Sequence, residues 1–68
     1  MELRVNGESR EVADNLSLQE LVRYLQLKPE QIAVELNHSV VRRAGWASTV
    51  LKEGDNVEIV HFVGGGTA

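Results

Sequence analysis

Three consecutive glycines, Gly64, Gly65 and Gly66, stand close to the end of the chain and follow an apolar run. Glycine has no Cβ, so a segment of this kind can thread a narrow channel into the active site of another protein. A glycine carboxylate is also unhindered at its carbonyl carbon. It can be activated as an acyl adenylate and passed to a nucleophile. In that chemistry the reacting group is backbone, and no catalytic side chain is required. The plain alternative is a flexible spacer, the usual state of Gly-rich termini. What favours the chemical reading is the root of the tail. The glycines leave directly from Val57 to Val63, a run apolar on both faces, as expected of a central strand.

No other residues assemble a reaction centre. No serine lies in a Gly-x-Ser-x-Gly elbow, and no Gly-x-Gly-x-x-Gly follows a strand and opens a helix. The two histidines, His38 and His61, have no carboxylate at helical i, i+4 spacing, so no metal site is expected. They read as a turn histidine and a strand histidine. There is no cysteine, hence no disulfide framework and no thiolate zinc site.

The elements that must carry the tail are legible in turn. Leu3 and Val5 alternate with Glu2, Arg4 and Asn6, the pattern of a half-buried strand. Asn6-Gly7 tolerates the positive φ angles of a two-residue hairpin turn. Glu8 to Val12 then returns as a polar edge strand, on which charge discourages aggregation. Ser17-Leu18-Gln19-Glu20 is a capping box, with Leu16 and Leu21 placed as a hydrophobic staple. Leu18, Leu21, Val22 and Leu25 form one apolar stripe, and a helix over 18–27 ended by Pro29 is expected. Ile32 to Leu36 is a strand closed by Asn37-His38, and Val40-Val41 begins a short extended piece. Arg43-Ala44-Gly45-Trp46 has room for a single turn, and Lys52-Glu53-Gly54-Asp55 is a turn leading into the last strand.

With 68 residues and 43% hydrophobic content, the chain has room for one small folded domain with a modest core. The order strand, strand, helix, strand, short strand, strand lets the first and last strands meet in the middle. That predicts an α+β roll of β-grasp type, a mixed sheet of four to five strands with one main helix across one face. The expected division is a domain over 1–63 and a flexible glycine tail over 64–68 with a Thr-Ala extension. No apolar run approaches a membrane span, and Met1-Glu2-Leu3-Arg4 is not a signal peptide. The net charge of -3 argues against nucleic acid and favours a basic protein surface as partner.

Gly54-Asp55-x-Val57-Glu58-Ile59-Val60-x-x-Val63-Gly64-Gly65-Gly66 closely resembles the C-terminal signature of ThiS-type sulfur carriers of thiamine biosynthesis. Leu3-x-Val5-Asn6-Gly7 resembles the opening hairpin of that family, and Ala33-Val34-Glu35-Leu36-Asn37 with Val40-Val41-x-Arg43-x-x-Trp46 resembles its middle. The resemblance implies a ubiquitin-like β-grasp that binds no cofactor of its own and works in the cytoplasm. It implies a ThiF-type enzyme that uses ATP to adenylate the terminal glycine carboxylate. Sulfur from a persulfide donor then makes a thiocarboxylate, which a ThiG-type thiazole synthase consumes. The matching reactive position is Gly66, with Gly64 and Gly65 threading the partner.

Two departures stand out. Family members usually end at the glycine pair, whereas here Thr67-Ala68 follows and blocks the Gly66 carboxylate. A peptidase that removes the two residues before activation is therefore expected. Arg42 stands where relatives often have proline, at an expected exposed loop position. Val60 and Phe62 face away from Val57 and Ile59, and are expected either to lie under loops near Trp46 or to form an apolar docking patch. The rival readings are a MoaD-type carrier for molybdopterin synthesis and a β-grasp interaction module with an inert tail. A free-standing enzyme is the least supported class.

Overall fold

A computed structural model describes residues 1–62. The predicted Val63, the glycines Gly64, Gly65 and Gly66, and Thr67-Ala68 lie outside the described residues. The elements are β1 (Glu2–Val5), β2 (Glu8–Glu11), α1 (Leu18–Tyr24), β3 (Ile32–Leu36), β4 (Ser39–Val41) and β5 (Asn56–His61). Short 3-10 turns at Pro29–Gln31 and Arg43–Ser48 complete the order. The five strands form one sheet in the order β2-β1-β5-β3-β4. Central β1 and β5 run parallel, and every other pair is antiparallel. With α1 packed on one face, this is the β-grasp expected from the element order.

Two tight turns set the registers. Asn6 and Gly7 have φ of 50° and 83°, and Asn37 and His38 have 50° and 73°. Positive φ at both central residues matches the right-handed twist of the flanking strands. Asparagine and glycine adopt it readily, and His38 bears the steric cost of an ordinary side chain there. The result pairs Val5 with Glu8 and Leu36 with Ser39.

The capping box at the start of α1 is present in full. Ser17 Oγ accepts from the Glu20 N–H at 3.1 Å, and Glu20 Oε1 accepts from the Ser17 N–H at 2.8 Å. The far end differs from expectation. The helix stops at Tyr24, short of residue 27 and ahead of Pro29. Gln26 takes φ 61°, its N–H donates to the Arg23 carbonyl, and the Leu27 N–H donates to the Val22 carbonyl. This is a Schellman ending in which glutamine occupies the left-handed position usually held by glycine. Leu27 then folds back onto the core beside buried Val22. Pro29 opens the following 3-10 turn and does not terminate the helix.

The core lies between α1 and the inward side of the sheet. It contains Leu3 and Val5 of β1, Leu18, Leu21 and Val22 of α1, Ile32 and Val34 of β3, and Val57 and Ile59 of β5. Trp46 and Leu51 close it from the loops. Each such aliphatic side chain contributes about 1.5–3 kcal/mol by leaving water. Trp46 does not cover Val60 and Phe62. It is 2% exposed within the core, and its indole N–H donates to the Val41 carbonyl at 2.9 Å. The single turn expected at Arg43–Trp46 is a longer 3-10 stretch running to Ser48, and Arg42 before it has φ -66°. That is close to the φ proline imposes, so a proline at this position would fit the same backbone.

Candidate functional site

The sequence runs into the glycine tail from β5, the central strand of the sheet, which pairs with β1 at Asn56 and Val57 and with β3 from Val57 to His61. Its alternation buries Val57 and Ile59 and leaves Glu58, Val60 and His61 exposed. The strand ends at His61, and the Phe62 N–H still donates to the Gln31 carbonyl at 2.8 Å. The backbone is thus held by β3, and at Phe62 by the 3-10 turn that precedes β3, up to the last described residue.

Val60 and Phe62 are each 56% exposed, which rejects the arrangement in which loops cover them. Register adds neighbours that sequence reasoning did not place. Ala33 stands opposite Val60, Glu35 opposite Glu58, and Val40 opposite Glu35. Directly paired residues share a face of an antiparallel sheet, so Ala33, Val40, Val60, Glu35 and Glu58 form one surface. Val40 is 69% exposed, while Val41 beside it is half-buried. The signal for this was present in the sequence. A two-residue turn at Asn37-His38 fixes Val40 across from Glu35, and strand alternation then turns it outward. The face is an apolar strip with two carboxylates at its edge, and it leads towards the end of β5.

The Gly54-Asp55 motif is structural. Asp55 is buried; one carboxylate oxygen accepts from the Lys52 N–H at 2.8 Å, and the other accepts from Asn37 Nδ2 at 3.1 Å. Asn37 Oδ1 accepts from the Asn56 N–H at 2.9 Å. These bonds tie the turn before β5 to the turn after β3, and Gly54 with φ 83° makes the approach. His38 sits in its turn and His61 at the exposed end of β5, as expected for both. Among the described residues no group of three or more His, Cys, Asp or Glu could hold a metal ion. A groove of about 440 Å³ between α1 and the second 3-10 turn is lined by Val22, Leu27, Trp46, Arg23, Arg43 and Glu30, among others. It contains no nucleophile paired with a base. Among the described residues no helix is long and apolar enough to cross a membrane.

The comparisons with known proteins agree with this geometry. The ThiS family model matches residues 3–66. The sulfur carrier protein ThiS of Bacillus subtilis is 34% identical over 65 residues, covering 94% of this chain and 98% of that protein. A thiazole synthase of Magnetococcus marinus is 41% identical over 66 residues, covering 97% of this chain. The chain spans only 20% of the length of that synthase. The crystal structure of the thiamine biosynthesis protein ThiS from Geobacter metallireducens superposes with a TM-score of 0.85 at 40% identity, covering 97% of this chain and all of that one. A β-grasp sheet, a single covering helix and a family match across nearly the full length lead to one identification: the chain belongs to the ThiS family.

Proposed function

We propose that the chain is a sulfur carrier of thiamine biosynthesis whose reacting group is the Gly66 carboxylate. The observation that carries this reading is the pairing of a ThiS-family tail with an uncovered apolar strip on the strand that bears it. In this scheme the domain is a cytoplasmic protein co-substrate and does not itself catalyse. A peptidase first removes Thr67-Ala68 and frees the carboxylate. A ThiF-type enzyme, docked on Val60 and Phe62 with Gly64 and Gly65 in its channel, adenylates Gly66 at the expense of ATP. The carboxylate oxygen attacks the α-phosphorus, pyrophosphate leaves, and the acyl adenylate forms. Sulfur from a persulfide donor displaces AMP and, after reductive cleavage by a thiol, leaves a thiocarboxylate. A ThiG-type thiazole synthase takes that sulfur. The M. marinus thiazole synthase, which contains a segment similar to this chain, supports a ThiG-type partner.

Truncation after Phe62 separates this reading from an interaction module with an inert tail. The truncated chain should still compete with the full carrier for the adenylating enzyme, and it should accept no sulfur. Sulfur transfer surviving the truncation would overturn the proposal.

A further inference from the structure

Asn6 lies at the end of β1, where the chain turns away into β2. Its backbone N–H donates to the Val57 carbonyl at 2.9 Å. Its side chain then reaches further along β5. Oδ1 accepts from the Ile59 N–H at 2.7 Å, and Nδ2 donates to the Ile59 carbonyl at 3.3 Å. A carboxamide offers the same donor and acceptor as a peptide unit. The Asn6 side chain therefore takes the place of the next peptide β1 would have supplied had it not turned at Gly7.

This contact holds one edge of the tail-bearing strand. On the β3 edge, pairing continues through Ile32–His61 to the Phe62 N–H. On the β1 edge, among the described residues, the bonds from β1 to β5 end at Ile59. Asn6 is the last hold on that side before the tail begins. It is also followed by Gly7, and both are exposed. Asn-Gly is the dipeptide in which the following backbone nitrogen, unhindered by a side chain, most readily attacks the asparagine amide.

We propose that Asn6 is a positioning residue for the reacting end of the chain, and that its carboxamide is a deamidation site whose conversion releases β5 on the β1 edge. The positioning half rests on Gly66 being the reacting group; the deamidation half does not. In the reaction the Gly7 nitrogen attacks Asn6 Cγ, and Nδ2 leaves as ammonia with the proton from Gly7. A succinimide ring remains, and one water opens it to aspartate or isoaspartate. No oxidant or reductant is involved. In the closed clasp both polar atoms of the side chain are engaged, so the reaction proceeds only through the opened state. In the aspartate product a carboxylate oxygen faces the Ile59 carbonyl where a donor stood. The two acceptors repel, and the edge opens.

The test uses the isotope-labelled full chain beside Asn6→Gly and Asn6→Asp. Glycine keeps the positive φ and deletes the clasp; aspartate keeps the shape and deletes the donor. Amide exchange at Ile59 should rise about tenfold or more in Asn6→Gly. In Asn6→Asp it should rise at neutral pH and return towards the unsubstituted rate at about pH 3, where a protonated carboxyl donates again. That pH-dependent rescue would not arise from a general loss of stability. The unsubstituted chain should also deamidate at Asn6 at least about tenfold more slowly than a peptide of residues 3–10, since only the opened state reacts. Unchanged Ile59 exchange in both variants, or equal deamidation in chain and peptide, would overturn the proposal. With an adenylating enzyme, Asn6→Gly should lower kcat several-fold and leave KM near its original value; an unchanged kcat would overturn the positioning half. If the unsubstituted chain is never adenylated, the function proposed above fails and the positioning half with it, while the exchange and deamidation results still decide the clasp.

Discussion

Asp55 shows how much one buried side chain organises. Both its oxygens are used, by Lys52 and Asn37, and these bonds join the two turns that flank the β3–β5 pair. Asp55→Ala leaves the Lys52 N–H and the Asn37 amide without their acceptor, and should cost about 1–3 kcal/mol in denaturant unfolding. The amine of Met1 is held in a comparable way. It donates to the Val12 carbonyl at 2.7 Å and lies 3.0 Å from Asp14 and 3.1 Å from Glu11. The hydrogen bonds to Asp14 and then Glu11 raise its pKa above the ordinary α-amino value, against a smaller opposing effect of desolvation. A group whose pKa is raised on folding stabilises the fold below its unfolded pKa. That contribution is lost as pH climbs through the raised value. Melting temperature should therefore fall on the alkaline side, and N-acetylation of Met1 should remove that dependence. A melting curve whose pH dependence is the same with and without the acetyl group would contradict the assignment.

Element by element, local signals foretold most of the structure. The capping box, the staple and the apolar stripe placed α1, and Ser17→Ala should cost about 1 kcal/mol by denaturant unfolding. Asn6-Gly7 placed the first hairpin, and its polar return strand took the sheet edge. The misses are physical in kind. The helix ended early because Gln26 adopted a left-handed angle that sequence statistics reserve for glycine, with Leu27 packing back on the core as compensation. Trp46 went to the core because its indole N–H finds the Val41 carbonyl, a contact that no periodicity reveals. The outward side of β5 was legible as apolar, but whether loops would cover it depended on tertiary packing. Since Phe62 is exposed, Phe62→Ala should leave unfolding nearly unchanged and weaken binding to the adenylating enzyme by about tenfold, as loss of an aromatic contact does. Unfolding of that variant would instead assign Phe62 to the core.

At the scale of the whole molecule, a core of a dozen buried apolar residues among those described supports the exposed strip. The strip is flanked by Glu35 and Glu58, opposite one another on β3 and β5, and the chain as a whole carries a net charge of -3. A basic partner surface fits both, and association with the adenylating enzyme should slow as salt is raised. The scarcity of catalytic side chains then has a simple meaning. In the proposed scheme sulfur is carried on the backbone at Gly66, a chemistry that asks for no cysteine in the domain. The most direct measurement is intact mass after incubation with ATP, a ThiF-type enzyme, a persulfide source and a peptidase-competent extract from the native host. The predicted species ends at Gly66 with one carboxylate oxygen replaced by sulfur. A chain that still carries Thr67-Ala68 while transferring sulfur, or one trimmed to Gly66 that stays a plain carboxylate, would contradict it.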